Sequence, residues 1–207
     1  MAKSEQEIEV KFPVHDLDAL SNRLKAQGAV LSAPRVHEIN LRFDTPDGVL
    51  TRDRRVLRLR QDAGAVMTYK GVAQPGAEVS SRQEIEFQVS DFGAARRLLE
   101  ALGYKVSVMY EKFRTTYTLD NLTVVLDEMP FGSFVEIEGP DAESIRSAAA
   151  KLGLDWEARS VASYLALFGV LCSARGIAVQ NLSFAEFEGI QVRMADMGLR
   201  YADRGEE

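Results

Sequence analysis

Near the start of the chain Glu7, Glu9 and Lys11 alternate with Ile8, Val10 and Phe12. In a β-strand that spacing places the ionic groups on one face and the apolar groups on the other. The pattern returns as Glu84-Ile85-Glu86-Phe87 and as Val135-Glu136-Ile137-Glu138, and with the opposite sign as Leu57-Arg58-Leu59-Arg60 and Lys112-Phe113-Arg114. The charges are thus segregated by segment. Carboxylates on one wall and Lys/Arg on another suit a metal-bound polyphosphate. A hard cation such as Mg²⁺ takes one or two carboxylates plus phosphate oxygens, while Arg forks and Lys ammonium groups hold the remaining phosphate charge. Phosphoryl chemistry then depends on positioning and charge neutralisation, so no nucleophilic Ser or Cys is required.

The elements that must position these groups are legible from punctuation and period. After the first strand, Asp16 can cap a helix carrying Leu17, Leu20 and Leu24 that ends at Gly28. Extended segments follow at 36–44, 56–60 and 67–70, with a turn at Thr45-Pro46-Asp47-Gly48 and a loop containing Pro75 and Gly76. The order then repeats. A strand at 82–89 precedes a helix capped by Asp91 and ended by Gly103, and strands at 110–119, 122–128 and 133–138 come next. Helices over about 141–152 and 160–171 complete the list. Eight strands joined mostly by short links favour antiparallel pairing. Two arrangements satisfy this pattern: an open sheet with one solvated face, and a closed barrel with charges in the lumen and helices on the apolar outside.

The 207 residues and 46% hydrophobic composition allow a sizeable core in one domain with an appendage. A net charge of -6 argues against DNA binding through a general basic surface. The single Cys172 excludes an internal disulfide framework, and MAKSEQEIEV lacks the apolar run of a secretory signal, which points to the cytoplasm. The apolar run from Val161 to Cys172 is about half a membrane span and reads as a packed helix.

Seven motifs in order resemble the CYTH superfamily, the triphosphate tunnel metalloenzymes. They are Glu7-x-Glu9-x-Lys11, Leu57-Arg58-Leu59-Arg60, Tyr69-Lys70-Gly71, Glu84-x-Glu86, Glu111-Lys112-x-Arg114, Leu126-Asp127 and Glu136-x-Glu138. Phe43-Asp44-Thr45-Pro46 and Tyr110-Glu111-Lys112-Phe113-Arg114 look most like its class IV adenylyl cyclase-like branch. The resemblance implies a mainly β, α+β fold: a closed eight-stranded antiparallel tunnel over 1–172 with helices packed outside. It further implies that Lys11, Arg58, Arg60, Lys70, Lys112 and Arg114 grip a triphosphate. Glu7, Glu9, Asp127, Glu136 and Glu138 would hold Mg²⁺ or Mn²⁺. Glu9, Lys11 and Glu86 are the candidate catalytic groups, with Glu84 and Glu86 alternatively forming salt bridges to neighbouring cations.

The activity expected is hydrolysis of a nucleotide, inorganic or organic triphosphate. The alternative is cyclisation of ATP to cyclic AMP and pyrophosphate, and a polyphosphate-binding module without turnover ranks third because the carboxylates are retained. His15 and His37 read as surface or cap residues, Cys172 as inert packing and Tyr164 as core. Beyond 172 the resemblance is exhausted. Residues 173–207 are too apolar for a free tail, so a helix covering the outer barrel face is expected, with Asp203 to Glu207 frayed. A homodimer is allowed for, and no membrane association is expected.

Overall fold

A computed structural model of the chain describes residues 6–73 and 78–203, with side chains from Ile8 onward. The expected Pro75–Gly76 loop, the Glu7 side chain and residues 204–207 lie outside the described residues.

The eight strands are β1 (Gln6–Val14), β2 (Val30–Asp44), β3 (Val56–Gln61), β4 (Ala65–Lys70), β5 (Ser80–Val89), β6 (Lys105–Leu119), β7 (Leu122–Met129) and β8 (Gly132–Glu138). They pair antiparallel throughout in the closed order β1-β5-β4-β3-β2-β6-β7-β8. The barrel is therefore the arrangement adopted. Meanders β2-β3-β4 and β6-β7-β8 form its two halves, and β1 and β5, the first strand of each repeat, pair with one another.

Helices α1 (Leu17–Ala26), α2 (Val49–Arg52), α3 (Phe92–Ala101), α4 (Ala142–Lys151) and α5 (Tyr164–Arg175) lie outside the strands in sequence. Asp16, Asp91 and Asp141 accept the backbone N–H three residues on, as N-caps do. α1 and α4 bury Leu20, Leu24, Ile145 and Leu152 against Val10, Phe12 and Val14 of β1 and Val135 and Ile137 of β8. α3 places Leu99 against Leu41, Phe43 and Leu59. The apolar faces predicted on β1, β3 and β8 thus have helices to cover them, whereas Phe113 of β6 packs against Arg35, His37 and Phe184, and Ile85 and Phe87 of β5 stay half exposed.

Three local expectations change. The turn at Thr45–Gly48 runs into the short helix α2, because Asp44 accepts from the N–H groups of Thr45, Leu50 and Thr51 at 2.8, 2.8 and 2.9 Å and from the Thr51 hydroxyl at 2.6 Å. The fourth expected helix starts later, at Tyr164, because Ser160 is held in extended form on β1 by paired backbone bonds to Lys11. The segment after α5 is a strap rather than a helix. Leu182 pairs with β6 where β7 has turned away, donating to the Met109 carbonyl and accepting from the Glu111 N–H. Met194–Met197 form a 3-10 turn packed on α5, and Ala202 donates to Pro13 at 2.8 Å.

Asp203 departs from the frayed end expected of it. Its carboxylate is 3% exposed. It accepts from the N–H groups of His15 at 2.8 Å and Asp16 at 3.1 Å, and it contacts the His15 ring, which stacks on Tyr201. Among the described residues no helix is long and apolar enough to cross a membrane.

Because Leu182 is fully buried between β6 and the aromatic cluster under α5, Leu182→Ala is expected to cost about 2–5 kcal/mol. Urea denaturation measures it, and a loss within the noise of an exposed site would detach the strap from the core.

Candidate active site

The inward faces of the strands enclose a cavity of about 980 Å³. Among the described residues ten Lys/Arg and seven Asp/Glu side chains line it, so the lining is net positive in a chain that is net negative. Such a cavity selects anions.

One side of the lining is closely charge-balanced. Lys11, on β1, is 2% exposed and its ammonium lies 3.6 Å from Glu9 and 3.5 Å from Glu136. Burial pushes that ammonium down, but the two carboxylates outweigh it and hold its proton more firmly than usual. Arg114 of β6 forks onto Asp127 of β7 at 2.6 and 2.5 Å and reaches Glu136 of β8 at 2.6 Å. Lys112 donates to Asp127 at 3.0 Å and lies 3.7 Å from Glu38 of β2. Burial acts against the Glu136 carboxylate, yet Lys11 and Arg114 bring it well below the usual range.

Asp127, expected to hold a metal, lies fully buried beneath this wall. Its oxygens are taken by Lys112, Arg114 and the hydroxyl of Tyr164, which donates at 2.8 Å. It anchors the basic side chains. Tyr164, expected in the core, is indeed buried, but it enters the barrel from the first turn of α5 and lines the cavity. Lys11 and Lys112 each stand 5.4 Å from its ring centroid.

The opposite side carries Arg58 and Arg60 of β3, Lys70 of β4, and Glu84 and Glu86 of β5. Glu84 lies 3.6 Å from Lys70 and Glu86 3.5 Å from Arg58, with Thr68 donating to Glu86 at 3.0 Å. The salt-bridge alternative for these two acids is the arrangement seen. Of the expected site residues, Glu9, Lys11, Arg58, Arg60, Lys70, Glu84, Glu86, Lys112, Arg114, Glu136 and Glu138 all line the one cavity.

Sequence reasoning missed Glu38, Arg42, Arg82 and Tyr110, which also line it. Each had a signal. Arg82 shares parity with Glu84, Tyr110 shares parity with Lys112, and Glu38 and Arg42 alternate with Ile39, Leu41 and Phe43. They escaped notice because β2 mixes signs and because Tyr110 carries no charge. Burial pushes the Glu38 carboxyl up, but Lys112, Arg114, Arg60 and Arg58 bring it down to about 2.

The donor set fits a hard divalent cation shared with a ligand. Among the described residues no three acids gather into a ready metal cage. Glu9 and Glu138 stand opposite one another in register, and Glu136 lies beside Lys11. One or two carboxylate oxygens are thus on offer, and Mg²⁺ or Mn²⁺ completes such a shell with phosphate and water oxygens.

A family model described as the CYTH domain matches residues 5–156. A protein of Methanocaldococcus jannaschii provisionally named an adenylate cyclase is 27% identical over 136 residues, 64% of this chain and 75% of that one. A Vibrio parahaemolyticus structure, also provisionally named an adenylate cyclase, aligns with TM-score 0.72 at 23% identity, covering 81% of this chain and 99% of that one. A Hippeastrum structure described as having a dominant triphosphatase activity aligns with TM-score 0.60 at 21% identity, covering 79% and 95%. At these identities the two structures speak to the fold.

The depressed Glu38 carboxyl sets a pH window. A carboxyl lower in the folded state than its ordinary 4.5 adds stability above that value and loses it as pH falls toward 2. Thermal melts between about pH 5 and pH 2 are expected to show a shallower slope for Glu38→Gln than for the wild type. Equal slopes would place Glu38 outside the ion-pair network.

Proposed function

The chain belongs to the CYTH domain family, and from that premise we propose that it is a divalent-metal-dependent triphosphatase acting on a compact triphosphate inside the barrel. The observation that carries hydrolysis over cyclisation is the lining. Its only described aromatic side chains are Tyr110 and Tyr164. Tyr164 has Lys11 and Lys112 near its ring and its hydroxyl on Asp127, and the Tyr110 hydroxyl lies 3.4 Å from Arg58. Both side chains are buried, each residue only 7% exposed, which leaves little ring surface for a nucleobase to stack on. Cyclisation needs an oriented ribose, whereas hydrolysis needs only an oriented phosphate chain and water. The cyclase reading remains the second one, favoured by the name of the Methanocaldococcus relative.

In this reading the protein's residues exchange partners on binding. Phosphate oxygens draw Lys11, Arg82, Lys112 and Arg114 away from their carboxylate partners, and Glu9 and Glu136, with Glu138, are the residues that would then hold the cation. When bound, the cation supplies charge neutralisation at the phosphate oxygens. Asp127 and Tyr164 keep Lys112 and Arg114 aimed into the cavity, and Glu86 with Thr68 orients Arg58. A water oxygen then bonds to the terminal phosphorus as the bridging P–O bond breaks, with the water proton leaving on the released phosphate or to solvent. A carboxylate held as low as Glu136 is a poor proton acceptor, so its part is electrostatic.

Product analysis with inorganic triphosphate and with ATP, each with Mg²⁺ and Mn²⁺, tests the proposal. Phosphate release without cyclic AMP is expected, and Glu136→Gln is expected to lower turnover by at least about a hundredfold while the chain stays folded. Cyclic AMP with stoichiometric pyrophosphate would overturn it in favour of the cyclase. Absence of turnover with either substrate would leave a binding module.

A further inference from the structure

The two halves of the barrel correspond in sequence but not in burial. At equal spacing, Val10 and Phe12 of β1 match Ile85 and Phe87 of β5, the cap Asp16 matches Asp91, and Gly28 matches Gly103. Val10 and Phe12 are 0% exposed, whereas Ile85 is 46% and Phe87 55% exposed. The difference lies in α4. It follows β8 and packs Ile145 and Leu152 into one cluster with Val10, Phe12 and Ile137, over the β8–β1 pair. In the other half β4 takes the place of β8 beside β5, and among the described residues no helix stands between β4 and β5 in sequence.

The flank of α3 tells the same story. Leu98 matches Arg23 of α1, which donates to the Leu152 carbonyl at 2.9 Å, so that flank of α1 abuts the end of α4. Leu98 and Leu102 are 61% and 66% exposed and share a flank, one helical turn apart. β5 and β6 run parallel, and a right-handed crossover through α3 turns this flank toward β4 and β5. Ala94 and Ala101 are exposed on it as well, while Arg96 and Glu100 pair with each other on the opposite flank. On the sheet, Met67 stands across from Phe87 and Tyr69 across from Ile85. None of the side chains on these strand rows and this flank is charged. An uncovered apolar face of this kind marks a contact with another macromolecule.

We propose that this face joins two copies of the chain about a two-fold axis, with α3 of each copy lying across β4 and β5 of the other, where α4 lies across β8 and β1. Two features select a second copy as the occupant. The face carries both an apolar helix flank and an uncovered apolar sheet, the two parts that such a contact needs, so it is complementary to itself. In a two-fold contact the same surface serves both sides, and an uncharged face then opposes no like charges, even though the chain as a whole carries a net charge of -6. The dimer does not depend on the triphosphatase reading.

Sedimentation velocity of the full chain over a concentration series tests the interface. Wild type is expected to be dimeric by about 100 µM, and raising NaCl from about 50 to 500 mM is expected to preserve or tighten the association, because salt screens the repulsion between the two anionic chains. Phe87→Lys and Leu98→Lys are each expected to weaken it by about tenfold or more. Each makes the chain less anionic, so added repulsion between chains cannot explain the loss, and both side chains are more than half exposed, so the fold is retained. The wild-type melting temperature is expected to rise with chain concentration, and that of Phe87→Lys to stay flat. A wild type that remains monomeric throughout would overturn the second copy as occupant and leave the face to a different protein. A dimer that both variants preserve would place the contact elsewhere and overturn the interface as well.

Discussion

Placing so many ionised side chains inside a β-barrel is the constraint on which the rest of this structure depends. Each buried charge carries a desolvation cost of several kcal/mol or more unless it is paired. The wall built on Asp127 meets that cost internally: one carboxylate serves Lys112, Arg114 and Tyr164, while Glu136 bridges Arg114 and Lys11. The wall built on Arg42 and Arg58 meets it only in part. A lumen balanced on one side and left cationic on the other is suited to a ligand that brings negative charge with it.

The covering elements serve this arrangement. α5 enters at Tyr164 because Ser160 is fixed to β1 at Lys11, so the backbone that carries one cation also sets the tyrosine that steadies two others. The strap then ties α5 down. Leu182 fills the β6 edge at Tyr110, Arg175 pairs with Asp196 at 2.7 Å, and Asp203 closes on the start of α1. Residues beyond the family match are therefore joined by direct contacts to the strands that bear the site.

Much of this was legible in the sequence. Period-two alternation at Glu7–Lys11, Arg58–Arg60, Lys112–Arg114 and Glu136–Glu138 marks the inward face, and Asp caps with terminal glycines mark α1, α3 and α4; Gly28, Gly103 and Gly153 all take left-handed φ. Alternation alone could not distinguish a solvated face from a lumen. It also could not rank the acids: Asp127 and Glu136 look alike as letters, yet two residues of barrel depth beneath Tyr164 convert one into an anchor. Asp203 was illegible for a similar reason, since its partners are backbone N–H groups 187 and 188 residues away. Arg42 was passed over because its strand row also carries Glu38, so β2 shows no single sign of charge.

The central claim is that Glu9 and Glu136 become available to a cation only as phosphate oxygens take over their Lys and Arg partners. Electron paramagnetic resonance of Mn²⁺ measures this directly, by titrating the metal into the protein with and without a saturating non-hydrolysable triphosphate analogue, corrected for metal bound by the analogue alone. The account predicts weak binding by the protein alone and at least about tenfold tighter binding in the ternary complex. Equal Mn²⁺ affinity with and without the analogue would contradict it, because the carboxylates would then be free of their cation partners from the outset.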